Sequence, residues 1–534
     1  MSLFDAVIVG SGPAGVAAAY ELSGRNICMV DVGKSPSDTN WGSGSNFYQL
    51  RRYSERYWNE FVGSRFESFR NIDQAYVPPK LKSPLHRFIT EDSAVSAAVE
   101  SDTFRAIVSF AQGGLANAWG AQLYRYNETD LRQFPLEARV LEPYYDRLTD
   151  HVGISGSCDD LARFYGTEAG LLPALRLSEL AAHLLRNYDR HRTFFNRHGV
   201  FLGRPRLGVL SQPYRGRPAC DYGNLEFYRL LPHIYTPRIT LEELIRNGRL
   251  DYRPGYFVIS FEDDKSGARV VMRNIATGQV ETIAGKRVLL AAGTIGSAAI
   301  LLRTLGDTSL RLPIMENLPS YIPFINPGFL GKAHETAAYY TQLNVCYLPH
   351  RINSQANGDM IMGTFYGMHG LFHSEFVRDL PLPLSLNVKL LRYILPSMLV
   401  LHIWRPGHQR PDNYLTIDSK GTLHIQYTDA ADSAVERHLI RVFRRAGYLS
   451  AAFLCKYPEP GASAHYAGSL PMRKTPSKKY ETHPNGRLHS MKNVYVADGS
   501  VFPALPAKNL SFTIMANAMR VAAGLFQNSD RCAS

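Results

Sequence analysis

The apolar positions of this chain gather at its two ends into short unbroken runs. Residues 5–9, DAVIV, predict a strand buried on both faces. A helix is predicted from about Pro13, with proline in its first turn and Gly24 as its stop signal. A second apolar run, ICMVD, predicts a strand that ends in Asp31. Near the C-terminus VYVAD predicts another buried strand, ending in Asp498. The residues from Leu510 to about Leu525 carry apolar side chains at helical spacing, and Asn509 stands where an N-cap belongs. Between these ends, RLDYRPGYFVISFEDD from Arg249 reads as paired strands, and HETAAYYTQLNVCYL and GDMIMGTFYGM are rich in β-formers.

Chemistry enters with the glycines. Gly10, Gly12 and Gly15 follow the first strand in G-x-G-x-x-G spacing. The first allows a tight turn, the second lets backbone approach a pyrophosphate, and the third allows close packing of helix on strand. The helix N-terminus suits an anionic diphosphate. Asp31, about twenty residues on, is placed to bind a ribose 2′-OH and to repel an NADP 2′-phosphate. This loop alone does not choose between NAD and FAD. The C-terminal segment does. His465 opens the turn HYAGSLPM, Asp498 is placed to reach a ribityl hydroxyl, and the helix after Asn509 brings a positive N-terminus. An imidazole, an amide and a helix dipole around one flat ring point to a flavin, whose reduced form is negative around N1 and the C2 carbonyl.

These residues resemble the glucose–methanol–choline (GMC) family of FAD-dependent oxidoreductases. RVLLAAGTIGSAAILLRTLG, residues 287–306, is similar to the family's second signature, and FAQGGLANAWG, residues 110–120, to its glycine-rich flavin loop. The resemblance implies an α/β fold: a discontinuous Rossmann-like FAD-binding domain and a substrate domain built on a mostly antiparallel sheet plus helices. It implies FAD at Gly10, Gly12, Pro13, Ala14, Gly15, Asp31, Gly113, Gly114, Asn117, Ala118, Val258, Ala292, Gly293, Asp498, Gly499, Asn509, Leu510 and Thr513. It also implies His465 as catalytic base with Asn509 as its partner, in oxidation of a CH–OH group. An alternative on the same scaffold is desaturation, isomerisation or bond cleavage in secondary metabolism. Two departures stand out. Arg303-Thr304 replaces the usual Ser-Gly, and Ala118 replaces the histidine that links covalently to flavin in some relatives, so FAD is expected without a covalent bond.

Length and composition add bounds. The 534 residues predict two or three domains. The expected pieces are 1–45, 85–150, 225–310 and 466–534 for FAD, and 151–224 and 311–465 for substrate, with 46–84 as a lid or dimer arm. The six cysteines form no CxxC pair and no metal pattern. With no leader ahead of the first strand, a cytoplasmic protein, monomer or homodimer, is expected. The formal charge is +12, without a nucleic-acid-binding motif. Arginines crowd residues 186–217, where they either form ion pairs or steer an anionic substrate. The stretch 380–404 is apolar but broken by prolines and charges. It is too short to span a bilayer and reads as core or cavity lining, with a lipid-facing or dimer surface as the alternative. The electron acceptor, oxygen or another carrier, is left open.

Overall fold

The computed structural model describes residues 3–36, 55, 59, 64, 81, 84–91, 99–166, 170–222, 231–333, 338–349, 359–368, 382–429 and 432–527. The expected lid or dimer arm at 46–84 lies almost wholly outside these residues, as does Cys532.

The chain opens on β1 (Phe4–Val9), α1 (Pro13–Glu21) and β2 (Ile27–Val30). β1 and β2 pair in parallel, with Ala6 opposite Ile27 and Val9 opposite Val30. Ala6 to Val9 and all of β2 are buried, which is why neither run alternates with polar residues. After α2 (Glu179–Arg190) and β3 (Val200–Gly203) come β4 (Asp251–Arg253), β5 (Tyr256–Asp263), β6 (Ala268–Asn274), β7 (Val280–Leu290) and α3 (Gly293–Leu305). The pairing expected after Arg249 is corrected here. β4 joins β2 in parallel, whereas β5 pairs antiparallel with β6. Pro254 and Gly255 break the run, so one sequence stretch supplies both ends of the strand order β4-β2-β1-β7-β6-β5.

β7 serves two partners. Its first half forms a hairpin with β6, and its last residues run parallel to β1 on one side. On the other side they pair with Val494–Val496 near the C-terminus. The strand ends of both termini therefore meet at Leu290, beside Ala291 and Ala292.

A second sheet is antiparallel throughout. After the short β8 (Met315–Glu316) it uses β9 (Pro319–Ile325), β10 (Thr341–Tyr347) and β11 (Ile361–Gly367). Past α4 (Leu384–Ile394) it adds β12 (Met398–Trp404), in the order β9-β12-β11-β10-β3. Alternation along β12 sorts its residues. Leu399, Leu401 and Ile403 pack with Leu184 of α2 and with Phe443 of α5 (Ala434–Arg444). Val400, His402 and Trp404 take the opposite face. The chain closes with β13 (Tyr466–Ala467), paired to β8, then β14 (Val494–Val496) and α6 (Ser511–Gly524).

The apolar stretch 380–404 divides between its two expected roles. β12 lines the cavity described below. α4 exposes Leu386, Val388 and Tyr393. Among the described residues no helix is long and apolar enough to cross a membrane.

Candidate active site

The Gly10 turn, the loop 107–122, the end of β7, β12 and the His465 and Asn509 loops all line one cavity of about 450 Å³. One end is main chain. Gly10 has φ +102°, and a Cβ there would meet Ala291 O at 2.6 Å. A Cβ on Gly15 would lie 1.9 Å from Gly10 O. A Cβ on Gly12 would meet nothing within 4 Å, so this glycine borders open space at the N-terminus of α1. That is the cradle a pyrophosphate requires. Asp31 lines the same end. Its carboxylate accepts from Ser11 N at 3.0 Å and Tyr252 OH at 2.9 Å, and burial raises its pKa to about 6. Val258 and Ala292 line the cavity too, as do Gly293 and Gly499. So do Pro13, Ala14, Gly114 and Ala118. These residues fit FAD: Gly12 leaves open space at a helix N-terminus of the kind a diphosphate takes, and Asp31 and Val258 line the same cavity.

Four expected binding residues sit behind this wall and shape it. Gly15 packs on Gly10, as described. Gly113 adopts φ +89° and donates its N–H to Ser11 Oγ. Asn117 donates to Gln112 O at 2.9 Å and Gly114 O at 2.7 Å, closing the loop on itself. Thr513 bonds Tyr145 OH at 2.7 Å. Asp498 does line the cavity, but its oxygens accept from Gly293 N, Ser297 Oγ and the Ser500 backbone and hydroxyl. Its main work is to clamp the start of α3 to the strand end before the C-terminal helix.

The other end is side chain. His465 enters on a strained turn, with Ala464 at φ +56°. Glu316 of β8 holds that turn, accepting from Gly461 N at 2.6 Å and Ser463 N at 3.0 Å. Burial raises the Glu316 pKa to about 7. Asn317 donates its N–H to His465 O at 3.3 Å and its amide to Pro506 O at 3.1 Å. One strand end thus fixes both the His465 and the Asn509 loops. Lys508, fully buried, pairs with Asp130 and also donates to Phe164 O and Arg125 O.

Asn509 differs from expectation. α6 begins at Ser511 with Leu510 as its N-cap, and no side chain caps it. The Asn509 side chain lines the cavity instead, beside Leu510, and its Oδ1 is buried with no hydrogen-bond partner. The His465 Nδ1 is likewise buried without a partner. Burial lowers the His465 pKa to about 4. A buried polar group left unmade costs roughly 1–3 kcal/mol, and such groups in a cavity mark a site awaiting a ligand.

Sequence reasoning marked 380–404 as core or cavity lining but singled out none of the side chains that wall this end. Trp119, Tyr321, Tyr340, Tyr366, His402 and Trp404 all line it. Tyr340 stacks on Tyr366 (centroids 5.1 Å, 16°), and Trp404 stacks on His465 (5.8 Å, 16°). The one available signal was period-two alternation in MLVLHIW, which sets His402 and Trp404 opposite the core residues. The arginines between 186 and 217 follow the ion-pair alternative where they are paired. Arg186, Arg192 and Arg215 pair with Glu179, Asp189 and Asp150. Arg204, Arg206 and Arg217 donate to backbone carbonyls. None lines the cavity, where Arg303, beside Phe257, is the one Lys or Arg among the described lining residues.

Comparison with known proteins agrees with this geometry. Residues 419–518 match the GMC oxidoreductase family. A 6'''-hydroxyparomomycin C oxidase from Streptomyces lividus is 26% identical over 442 residues, covering 77% of this chain and 76% of the relative. The crystal structure of pyridoxine 4-oxidase from Mesorbium loti superposes with a TM-score of 0.57 at 12% identity, over 97% of this chain and 98% of that one, and shows a shared fold. Cavity, C-terminal segment and relatives together support an FAD-dependent oxidoreductase, similar to the GMC oxidoreductases over residues 419–518.

Proposed function

We propose that the protein oxidises a small-molecule alcohol to a carbonyl compound, with His465 as the base and Asn509 orienting the alcohol oxygen. Oxygen as the electron acceptor and non-covalent FAD belong to the same reading. So does the division into a discontinuous cofactor domain and a substrate domain. One observation carries it: His465 and Asn509 line one cavity, and each keeps a buried polar atom without an internal partner. The relatives support it by name, one an oxidase of 6'''-hydroxyparomomycin C and the other of pyridoxine.

The alcohol O–H donates its proton to the His465 imidazole, which burial keeps neutral and ready to accept it. The Asn509 amide can donate to the alcohol oxygen but cannot take its proton. Trp404, stacked on His465, holds the ring plane and helps exclude water. Bound FAD supplies the electron-pair acceptor, at N5, for the hydrogen leaving the alcohol carbon. Ala118 in the flavin loop offers no atom for a covalent link.

The test is anaerobic flavin reduction followed by stopped flow in His465→Ala. Reduction should slow by roughly 10²–10⁴-fold, about 3–5 kcal/mol in the barrier, with flavin content retained. Reduction at the wild-type rate would place the base elsewhere.

A further inference from the structure

A polar row crosses the cavity face of the antiparallel sheet. Tyr321, His402, Thr364 and Asn344 stand opposite one another on β9, β12, β11 and β10. Three helix-facing neighbours of this row, Ile322, Leu401 and Phe365, belong to the apolar core, so the row lies on the face turned away from it. Two of its members hydrogen-bond to groups beneath the sheet, although Asn344 Oδ1 is left buried without a partner. Thr364 Oγ1 donates to Gln122 Oε1 at 2.9 Å, and Asn344 Nδ2 donates to Tyr124 OH at 2.7 Å.

His402 is not satisfied. Its Nε2 is buried with no partner, and no hydrogen bond reaches its other ring nitrogen among the described residues. The ring is nonetheless held firmly. It stacks on Tyr321 (4.2 Å, 18°) and packs against Trp404 at 4.0 Å, and Trp404 in turn stacks on His465. Phenylalanine would fill this aromatic slot without burying an unpartnered ring nitrogen. An imidazole kept here without an internal partner is explained by a partner that arrives with the ligand.

Resting on the proposed reading of this cavity as the substrate site, we infer that His402 is a specificity-determining residue. It hydrogen-bonds a second hydroxyl of a ring-borne alcohol, while His465 faces the carbinol that is oxidised. The aromatic walls suit the flat faces of a ring. The absence of Lys or Arg from the described lining here, and the use of Asp31 and Asp498 elsewhere, favour an uncharged polar group at this position. Trp404 packs against both imidazoles, His402 at 4.0 Å and His465 at 5.8 Å, and so ties the two positions together. A site built to bond a hydroxyl rejects the analogue that lacks it far more strongly than an apolar pocket could.

Binding rather than turnover tests this. The holoenzyme carrying His465→Ala is titrated with two probe pairs, read by the change in flavin absorption. The pairs are benzyl alcohol against 3-hydroxybenzyl alcohol, and cyclohexylmethanol against 4-(hydroxymethyl)cyclohexanol. With His402 present, the hydroxylated member of at least one pair should bind about 10-fold or more tighter. Adding His402→Phe should shrink that gap below about 3-fold and leave the plain member within about 2-fold. His402→Gln, which still hydrogen-bonds, should restore part of it. His402→Leu gives the same comparison if the Phe variant does not hold flavin. A gap that survives both apolar variants, or no gap in either pair with His402 intact, overturns the inference. Failure of every alcohol to reduce the flavin of the unmutated enzyme would instead overturn the proposed function, and the binding gap would still decide the role of His402.

Discussion

At the dinucleotide end of the cavity the wall is backbone, drawn from a turn of six residues, Gly10 to Gly15. At the substrate end it is side chain, drawn from β9, β11, β12 and the two loops of His465 and Asn509, far along the chain from that turn. Gly10 and Gly15 act by what they lack, since a Cβ on either would strike main chain. His465, Asn509 and His402 act by what they carry, and each leaves a buried atom without a partner. The difference explains why one end has a recognisable motif and the other does not. Close approach of backbone to a phosphate tolerates few residues at fixed spacing. A pocket for one substrate can be assembled from any strands that reach it.

If the substrate end depends on remote supports, breaking one should be costly. Lys508→Ala leaves Asp130 buried without its cation, and stability should fall by about 3–5 kcal/mol, read by urea denaturation. A loss under about 1 kcal/mol would mean the loop bearing Asn509 is held by other contacts.

The backbone end is sharpened by two glycines. Gly15→Ala forces a methyl against Gly10 O and should cost about 1–3 kcal/mol with or without FAD. Gly12→Ala should leave the apoprotein within about 0.5 kcal/mol of wild type, since its Cβ meets nothing. It should still weaken FAD binding, because the methyl enters the space a diphosphate needs. Equal effects of the two substitutions on the apoprotein would erase the distinction between packing glycine and cofactor glycine.

The two ends also differ in titration. Burial raises Asp31 to about 6 and lowers His465 to about 4, each shift disfavouring the charged form. For His465 the protonated, inactive form appears only as pH falls toward about 4. With saturating FAD, kcat/KM should therefore stay flat from about pH 8 to about pH 5 and decline below that. An apparent pKa above about 6 on the acid limb would show that His465 is less buried in the working enzyme.

The smallest effect is expected at Asn509. Without a capping hydrogen bond to lose, Asn509→Ala should change thermal stability by no more than about 0.5 kcal/mol. Its influence should appear in flavin reduction instead. A loss of about 1 kcal/mol, the worth of an N-cap, would return Asn509 to the role its position suggested.

Much of the cofactor end was legible because its determinants are local. Strand, glycines, helix, strand and Asp31 follow one another within thirty-one residues, and burial on both faces leaves apolar runs that need no partner to be read. Asn509 was found through resemblance, but its function as a cap was misread. One residue of difference in where a helix starts is below what periodicity resolves. Gly113, Asn117 and Thr513 were expected against the cofactor and instead brace the wall behind it. A motif marks which residues are needed, not which of their faces is turned to the ligand.

By itself the sequence determined the periodic elements, the glycine turn, the absence of a histidine at Ala118, and the pairing of His465 with Asn509 as candidate chemistry. Tertiary structure alone decided that Asn317 would tie the His465 loop to Pro506, and that Lys508 would find Asp130 across 378 residues. It also decided that His402 would stand in a polar row beside Thr364, whose hydroxyl bonds Gln122. Short-range order follows from backbone sterics and the burial of one face, which neighbouring residues set. Contacts between residues hundreds of positions apart depend on which strands pair and in what register, and only the folded chain settles that.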